Sequence, residues 1–237
     1  MDYSKSGAVQ LIRTGITPYR EIWELQKSLF KVVSENRNIH YLIVTGHPPV
    51  ITLGKSGGRN NLVSDEAVLQ SQGIEVIEID RGGDVTYHGP GQVVLYPILD
   101  LSCFKEDIDW YLRQLEEVVI ATLDEYGIDT ERIPGLTGVW VKNNKICAIG
   151  VKVTRWVTMH GLALNISTHL DHFNHIIPCG ITDKGVTSIL RETGNNIDSN
   201  DIVKKLCDHF SEIFNIEIMD AINPFQIKDF SKSDFIK

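Results

Sequence analysis

The chain has 237 residues, 42% of them hydrophobic, enough to bury a sizeable core and near the upper size of one domain. Its formal net charge of -8 argues against broad binding to nucleic acid or to an anionic membrane, since either needs a basic excess. The four cysteines lie far apart, no secretory leader opens the chain, and no run approaches the roughly 18 apolar residues of a membrane-spanning helix. A soluble, cytoplasmic protein is expected.

Thr17-Pro18 reads as an N-cap followed by proline at the first helical position. Tyr19, Ile22, Trp23, Leu29, Phe30 and Val33 then recur at helical spacing, predicting a helix from Pro18 to about Glu35. Tyr41 to Thr45 and Val50 to Leu53 are short strand candidates, and Ser64-Asp65-Glu66 opens a brief helix ending near Gly73. A strand over Ile74 to Ile79 leads into Arg81-Gly82-Gly83-Asp84-Val85-Thr86-Tyr87-His88-Gly89-Pro90-Gly91-Gln92, and an apolar run, Val93 to Tyr96, follows. The glycines let backbone approach a ligand closely, so this segment reads as a binding loop between two strands.

From Asp109 to Tyr126, Leu112, Leu115, Val119, Leu123 and Tyr126 form one face of a helix that Gly127 ends. Gly138 to Lys142 and Lys145 to Lys152 predict a hairpin turning at Asn143-Asn144, and Met159 to Ile166 predicts a third strand beside it. A last amphipathic helix spans about Asp201 to Phe214, and the polar tail after Pro224 is expected to be loosely held. Strands and helices alternate without a regular βαβ period, so the expected fold class is α+β, a single domain over residues 1–237 with a mixed β-sheet and flanking helices.

The glycine-rich segment matches neither G-x-x-x-x-G-K-[ST] nor G-x-G-x-x-G, so nothing in it marks a nucleotide site. A plain hairpin connection would explain its glycines but not Arg81, Tyr87 and His88 among them. Cys179, in Ile176-Ile177-Pro178-Cys179-Gly180, is a plausible exposed nucleophile if a cation, a base or a helix N-terminus supplies its thiolate; a buried structural thiol is the alternative. Cys207 lies at helical spacing from Val203 and Phe210 and reads as core, and Cys103 has no base nearby in sequence. Lys145 enters an apolar strand, where desolvation would make its amine a usable base, although most lysines beside hairpin turns are simply solvated. Strand alternation puts Lys145 and Cys147 on one face, so Cys147 is a second thiol for Lys145 to activate, or else a core residue. His169, His172, His175 and Cys179 are residue types that bind zinc, but without H-E-x-x-H or a cysteine pair they read as solvated side chains, and no metal is expected.

Four segments, Arg81 to Gln92, Gly138-Val139-Trp140 through Lys145-Ile146-Cys147-Ala148-Ile149-Gly150, His160-Gly161-Leu162-Ala163-Leu164-Asn165, and Pro178-Cys179-Gly180, together resemble the lipoyl(octanoyl) transferases in order and spacing, over about residues 40–190. The resemblance implies the fold shared by biotin and lipoate protein ligases. It implies transfer of octanoyl from octanoyl-acyl carrier protein to a lysine of lipoyl domains, those of 2-oxoacid dehydrogenase complexes and the glycine cleavage H protein, by a monomer that needs no cofactor. By position, Cys179 is the acyl-thioester nucleophile and Lys145 the residue that lowers its pKa. Arg81, Gly82, Gly83, Asp84, Val85, Thr86, Tyr87 and His88, then Ala148, Ile149 and Gly150, then Gly161, Leu162 and Ala163 match the substrate-binding segments, with Tyr87 and His88 expected around the acyl group or its carbonyl. The three histidines match no motif of that family.

Both implied partners are usually acidic, so local cations must guide docking. Lys55, Arg59, Arg81, Lys142, Lys152 and Arg155 lie near the matched segments, and several are expected at the mouth of the site. Two rival readings share the residues: an ATP-dependent lipoate-protein ligase, and a non-catalytic acyl- or lipoyl-domain-binding module in which Cys179 merely packs.

Overall fold

The computed structural model describes residues 8–177 and 184–220; Cys179 and the tail after Pro224 lie outside them. In chain order the strands are β1 (Ala8–Ile16), β2 (His40–Gly46), β3 (Val50–Leu53), β4 (Glu75–Glu78), β5 (Val85–His88), β6 (Gln92–Ile98), β7 (Glu131–Ile133), β8 (Leu136–Val141), β9 (Asn144–Thr154), β10 (Val157–Asn165), β11 (Gly185–Val186) and β12 (Glu217–Asp220). The helices are α1 (Tyr19–Glu35), α2 (Glu66–Ser71), α3 (Ile108–Asp124), α4 (Ile189–Thr193) and α5 (Ser199–Phe214). A large mixed sheet runs β12-β1-β2-β6-β10-β9-β8-β7 with β11 beside β9, and a small one runs β4-β3-β5.

Both faces of the large sheet are covered, which is why its central strands are continuously apolar rather than alternating. Leu42, Leu95 and Leu164 face α3 and α5, meeting Leu115, Val119, Leu206 and Phe210. Their strand neighbours Ile43, Val94 and Ala163 point the other way, where α1 supplies Ile22, Leu29 and Val33. Beneath the small sheet, Ile51, Leu53, Val85 and Tyr87 pack with Leu69 of α2 and with Phe173 from the 3₁₀ segment Leu170–His175.

Pro18 is the N-cap of α1 and Tyr19 its first helical residue; the Thr17 hydroxyl instead donates to the Thr14 carbonyl at 3.0 Å, so the expected Thr17 cap is not made. The hairpin turns at Lys142-Asn143, one residue earlier than expected, because Val141 pairs with Asn144 and Lys142 takes φ 53. Strand β5 lies inside what reads as one long loop. Its alternating Val85-Thr86-Tyr87-His88 pairs antiparallel with β3, Val85 opposite Leu53 and His88 opposite Val50. The loop proper is therefore Arg81 to Asp84, with a tight turn over Gly89 to Gly91.

Candidate active site

Strands β5, β6, β9 and β10 and the Arg81–Asp84 loop enclose a cavity of 590 Å³, a size that suits a small-molecule ligand. Arg81, Gly82, Gly83, Asp84, Val85, Thr86 and His88 line it, as do Lys145, Ala148, Ile149, Gly150, Gly161, Leu162 and Ala163. The Arg81–His88 segment thus meets the consecutive strands β9 and β10, far downstream in sequence, at one place. Tyr87 does not line the cavity: strand alternation turns it away from His88, and its hydroxyl lies 2.7 Å from His172 Nδ1, its ring edge-on to Phe173.

Backbone contacts fix the loop. Gly82 N–H donates to the Val151 carbonyl at 2.9 Å, and a Cβ on Gly150 would sit 3.0 Å from the Gly82 oxygen, so strand and loop approach so closely that any side chain there would push them apart. On the other side, Lys55 and Ser56 N–H donate to the Arg81 and Gly83 carbonyls at 3.0 and 3.1 Å, and a Cβ on Gly54 would meet the Gly83 oxygen at 2.3 Å. Gly54-Lys55-Ser56-Gly57-Gly58 is a second glycine-rich segment visible in the sequence, and its density of glycine was the available signal for this clamp. Arg81 is buried, its guanidinium donating to the Thr52 carbonyl at 2.8 Å and hydroxyl at 3.0 Å.

Lys145 reaches the cavity because of a β-bulge. Trp140 pairs with Lys145 but Val139 pairs with Cys147, so Ile146 is an extra residue that resets the alternation. Lys145 and Cys147 therefore do not share a face: Lys145 lines the cavity with Nζ 4.7 Å from the Trp140 ring centroid, while Cys147 is fully buried in the opposite core, where burial pushes its thiol pKa up. Gly138 underlies Lys145, with φ 124 and room for no Cβ, which would lie 2.7 Å from the Cys147 oxygen and 3.3 Å from Lys145 Cε. The buried Glu116 carboxylate accepts the Gly138 N–H at 3.0 Å and is itself held by Arg113 and Arg132. Cys103 and Cys207 lie elsewhere, burial raising both thiols, Cys207 to about 11, so none of the three described cysteines lines the cavity.

A buried polar network closes the α1 side. His160, in β10 with φ 60, donates from Nε2 to the Asp80 carboxylate at 2.9 Å, and Lys152 holds the other Asp80 oxygen at 2.6 Å. Hydrogen bonding from His160, with help from Lys152, keeps the Asp80 pKa well below the usual carboxylate range. Tyr19 hydroxyl lies 3.4 Å from His160 Nδ1, and His47 bridges the Thr17 carbonyl at 2.8 Å and the Tyr96 hydroxyl at 2.9 Å. Burial depresses the His47 pKa to about 4 and raises that of Tyr19. Tyr19, Asp80 and His160 stand far apart in the chain, and sequence spacing offers no signal that joins them.

Among the six cations near the matched segments only Arg81 lines the cavity. Lys152 is committed to Asp80, and Arg59 to Glu66 and Glu78. Lys142 and Arg155 sit beyond opposite ends of β9, whose eleven residues separate them by roughly 35 Å, too far to share one mouth. His175 lies 2.7 Å from the Ser64 hydroxyl and 2.9 Å from Gln72 Oε1, and His169 stacks on His172; no group of three metal-binding side chains occurs among the described residues. Nor is any described helix long and apolar enough to cross a membrane.

The family model of the lipoyl protein ligase A/B catalytic domain matches residues 18–211. An octanoyltransferase of Christiangramia forsetii is 46% identical over 227 residues, covering 89% of this chain and 97% of that one. The crystal structure of lipoate-protein ligase A bound with ATP superposes with a TM-score of 0.77, covering 97% of this chain and 98% of that one at 16% identity. Biotin protein ligase from Aquifex aeolicus, in complex with biotin and ATP, superposes with a TM-score of 0.52, covering 94% and 73% at 14% identity. Those two structures establish the fold, and the identity to the curated relative carries the rest: the chain belongs to the octanoyltransferases of the lipoyl protein ligase A/B catalytic-domain family and is an acyltransferase.

Proposed function

We propose that this acyltransferase moves octanoyl from octanoyl-acyl carrier protein to a specific lysine of lipoyl domains, including the glycine cleavage H protein, through a thioester on Cys179. The observation that carries the reading is the convergence of Lys145, the Arg81–His88 segment and the Ala148–Gly150 and Gly161–Ala163 strands on one cavity. Its lining suits an acyl thioester, since Val94, Leu136, Ile149 and Leu162 offer apolar surface to a hydrocarbon chain while Arg81, Gln92 and Asn165 bring polar groups. Phe173 and Val186, which flank residues 178–183 in sequence, both line the same cavity, which supports Cys179 as its nucleophile.

In the first half-reaction Lys145 accepts the Cys179 thiol proton and the thiolate attacks the acyl carbon. The carbon–sulfur bond to phosphopantetheine breaks, and that thiolate takes the proton back from Lys145. One thioester replaces another, so the acyl group stays activated and no ATP is consumed. In the second half-reaction the acceptor amine attacks the Cys179 thioester, an amide forms, and Lys145 carries the displaced amine proton to the cysteine sulfur.

Mass measurement of a purified lipoyl domain after incubation with enzyme and octanoyl-acyl carrier protein tests the reading. An octanoyl mass gain without ATP is expected. A gain that appears only with free octanoate and ATP would instead identify a ligase, and no gain under either condition a binding module.

A further inference from the structure

His88 is buried beside the cavity, and its proton is fixed by side chains that leave no choice of orientation. Asn165 Nδ2 donates to the Thr187 carbonyl at 2.9 Å, and Gln92 Nε2 donates to the Tyr87 carbonyl at 3.1 Å. Carbonyls only accept, so both amides are oriented with nitrogen toward them. Gln92 Nε2 spends its second hydrogen on Asn165 Oδ1 at 2.9 Å, and Gln92 Oε1 is left to accept from His88 Nδ1 at 3.2 Å. The hydrogen is therefore on Nδ1. Burial, reinforced by His47 and Arg81, holds the His88 pKa well below its ordinary value, so the ring is neutral and Nε2 carries a lone pair. Among the described residues Nε2 has no hydrogen-bond partner, and the ring, though buried, lines the cavity. His160, the other histidine lining the cavity, differs: its Nε2 is taken by Asp80 and its Nδ1 faces Tyr19.

A lone pair repels an acyl oxygen, so His88 is suited neither to the carbonyl nor to an oxyanion, contrary to the expectation from sequence. It suits an N–H donor. The donor thioester presents none at its reacting centre, but the acceptor lysine does. Resting on the transfer reading above, we propose that His88 Nε2 accepts a hydrogen bond from the incoming lysine amine and so acts in the second half-reaction. The attacking amine has already lost its ammonium proton to water and keeps two N–H bonds. Holding one on Nε2 aims the lone pair at the acyl carbon; the other proton passes through Lys145 to the Cys179 sulfur as the carbon–sulfur bond breaks. The N–H held by His88 remains as that of the product amide.

Single-turnover intact-mass kinetics of the full chain separate the halves: acylation by octanoyl-acyl carrier protein, then transfer to an unmodified lipoyl domain. His88→Leu is expected to slow transfer about tenfold or more beyond any effect on acylation, the loss of one well-placed hydrogen bond. His88→Gln, whose side-chain oxygen reaches the Nε2 position, should recover part of it. Acylation retained in His88→Leu also reports that the variant folds. Equal slowing of both halves, slowing of acylation alone, or a nitrogen-15 NMR spectrum with His88 protonated at Nε2 would overturn the assignment while leaving the transfer reading intact. Absence of any acyl adduct on the wild-type chain would remove the reading on which it rests.

Discussion

On one wall of the cavity Gly82, Gly83 and His88 are held by backbone hydrogen bonds and by two oriented amides, whereas on the other Lys145 is placed by an extra residue in β9, a glycine and the face of Trp140. The first wall is fixed in place before any ligand arrives, with His88 Nε2 left open to it. The second presents a long, rotatable amine whose position depends on a bulge. Under the proposed mechanism the two walls divide the labour: one holds a fixed shape, and Lys145 on the other moves the proton.

Removing the moving part should give the largest effect. Lys145→Met is expected to lower kcat about 10²–10⁴-fold with the fold unchanged, as for loss of a general base; circular dichroism and steady-state transfer to a lipoyl domain check it, and near-normal kcat would leave the bulged wall without a catalytic part. Disturbing the support beneath it should cost less. Gly138→Ala brings a Cβ within 2.7 Å of the Cys147 oxygen at a backbone angle of 124°. It is expected to shift the Lys145 amine and reduce kcat about 10²-fold, since small misplacements at a reacting centre are costly. Equal harm to substrate binding from this variant would blur the two walls.

These walls are unequally legible in sequence. Helices α1, α3 and α5 are predictable from apolar periodicity, and β3 from its four buried residues, because each pattern is local. The bulge at Ile146 exists only in the pairing of β9 with β8, so alternation alone puts Lys145 and Cys147 on one face. Glycine density hides β5, and with it the opposite orientation of Tyr87 and His88. Strands β1 and β12 escape a sequence reading because β12 pairs with β1 about 200 positions away and β1 pairs with β2 across the whole of α1, so no short window holds both partners. Likewise Asp80, Tyr19 and His160 carry no signal alone and become a network only once α1 crosses β10.

Two buried histidines, His47 beside His88 on the rigid wall and His40 at the far end of β2, predict a pH signature. His40 and His47 are both held neutral by burial, with pKa values of about 4. Below 6.5 the unfolded chain takes up these protons while the folded chain does not, so stability is complete above about pH 6.5 and is lost as pH falls towards about 4, roughly 3 kcal/mol for each ring. Urea midpoints measured across that window should fall accordingly; a flat profile would show that the rings protonate freely in the folded state. The smallest effect is expected at Lys152, partly exposed on Asp80. Lys152→Met should cost about 1 kcal/mol and change activity little, since His160 still holds the Asp80 carboxylate. Loss of activity there would mean that the Asp80 network reaches the reacting centre.

The proposed transfer passes through an acyl-enzyme, which intact-mass analysis of the chain after incubation with octanoyl-acyl carrier protein and no ATP tests most directly. A hydroxylamine-sensitive octanoyl adduct is predicted that disappears in Cys179→Ala and persists in Cys147→Ala, whose sulfur the bulge turns into the core. No adduct on the wild-type chain, or one that survives Cys179→Ala, would contradict it.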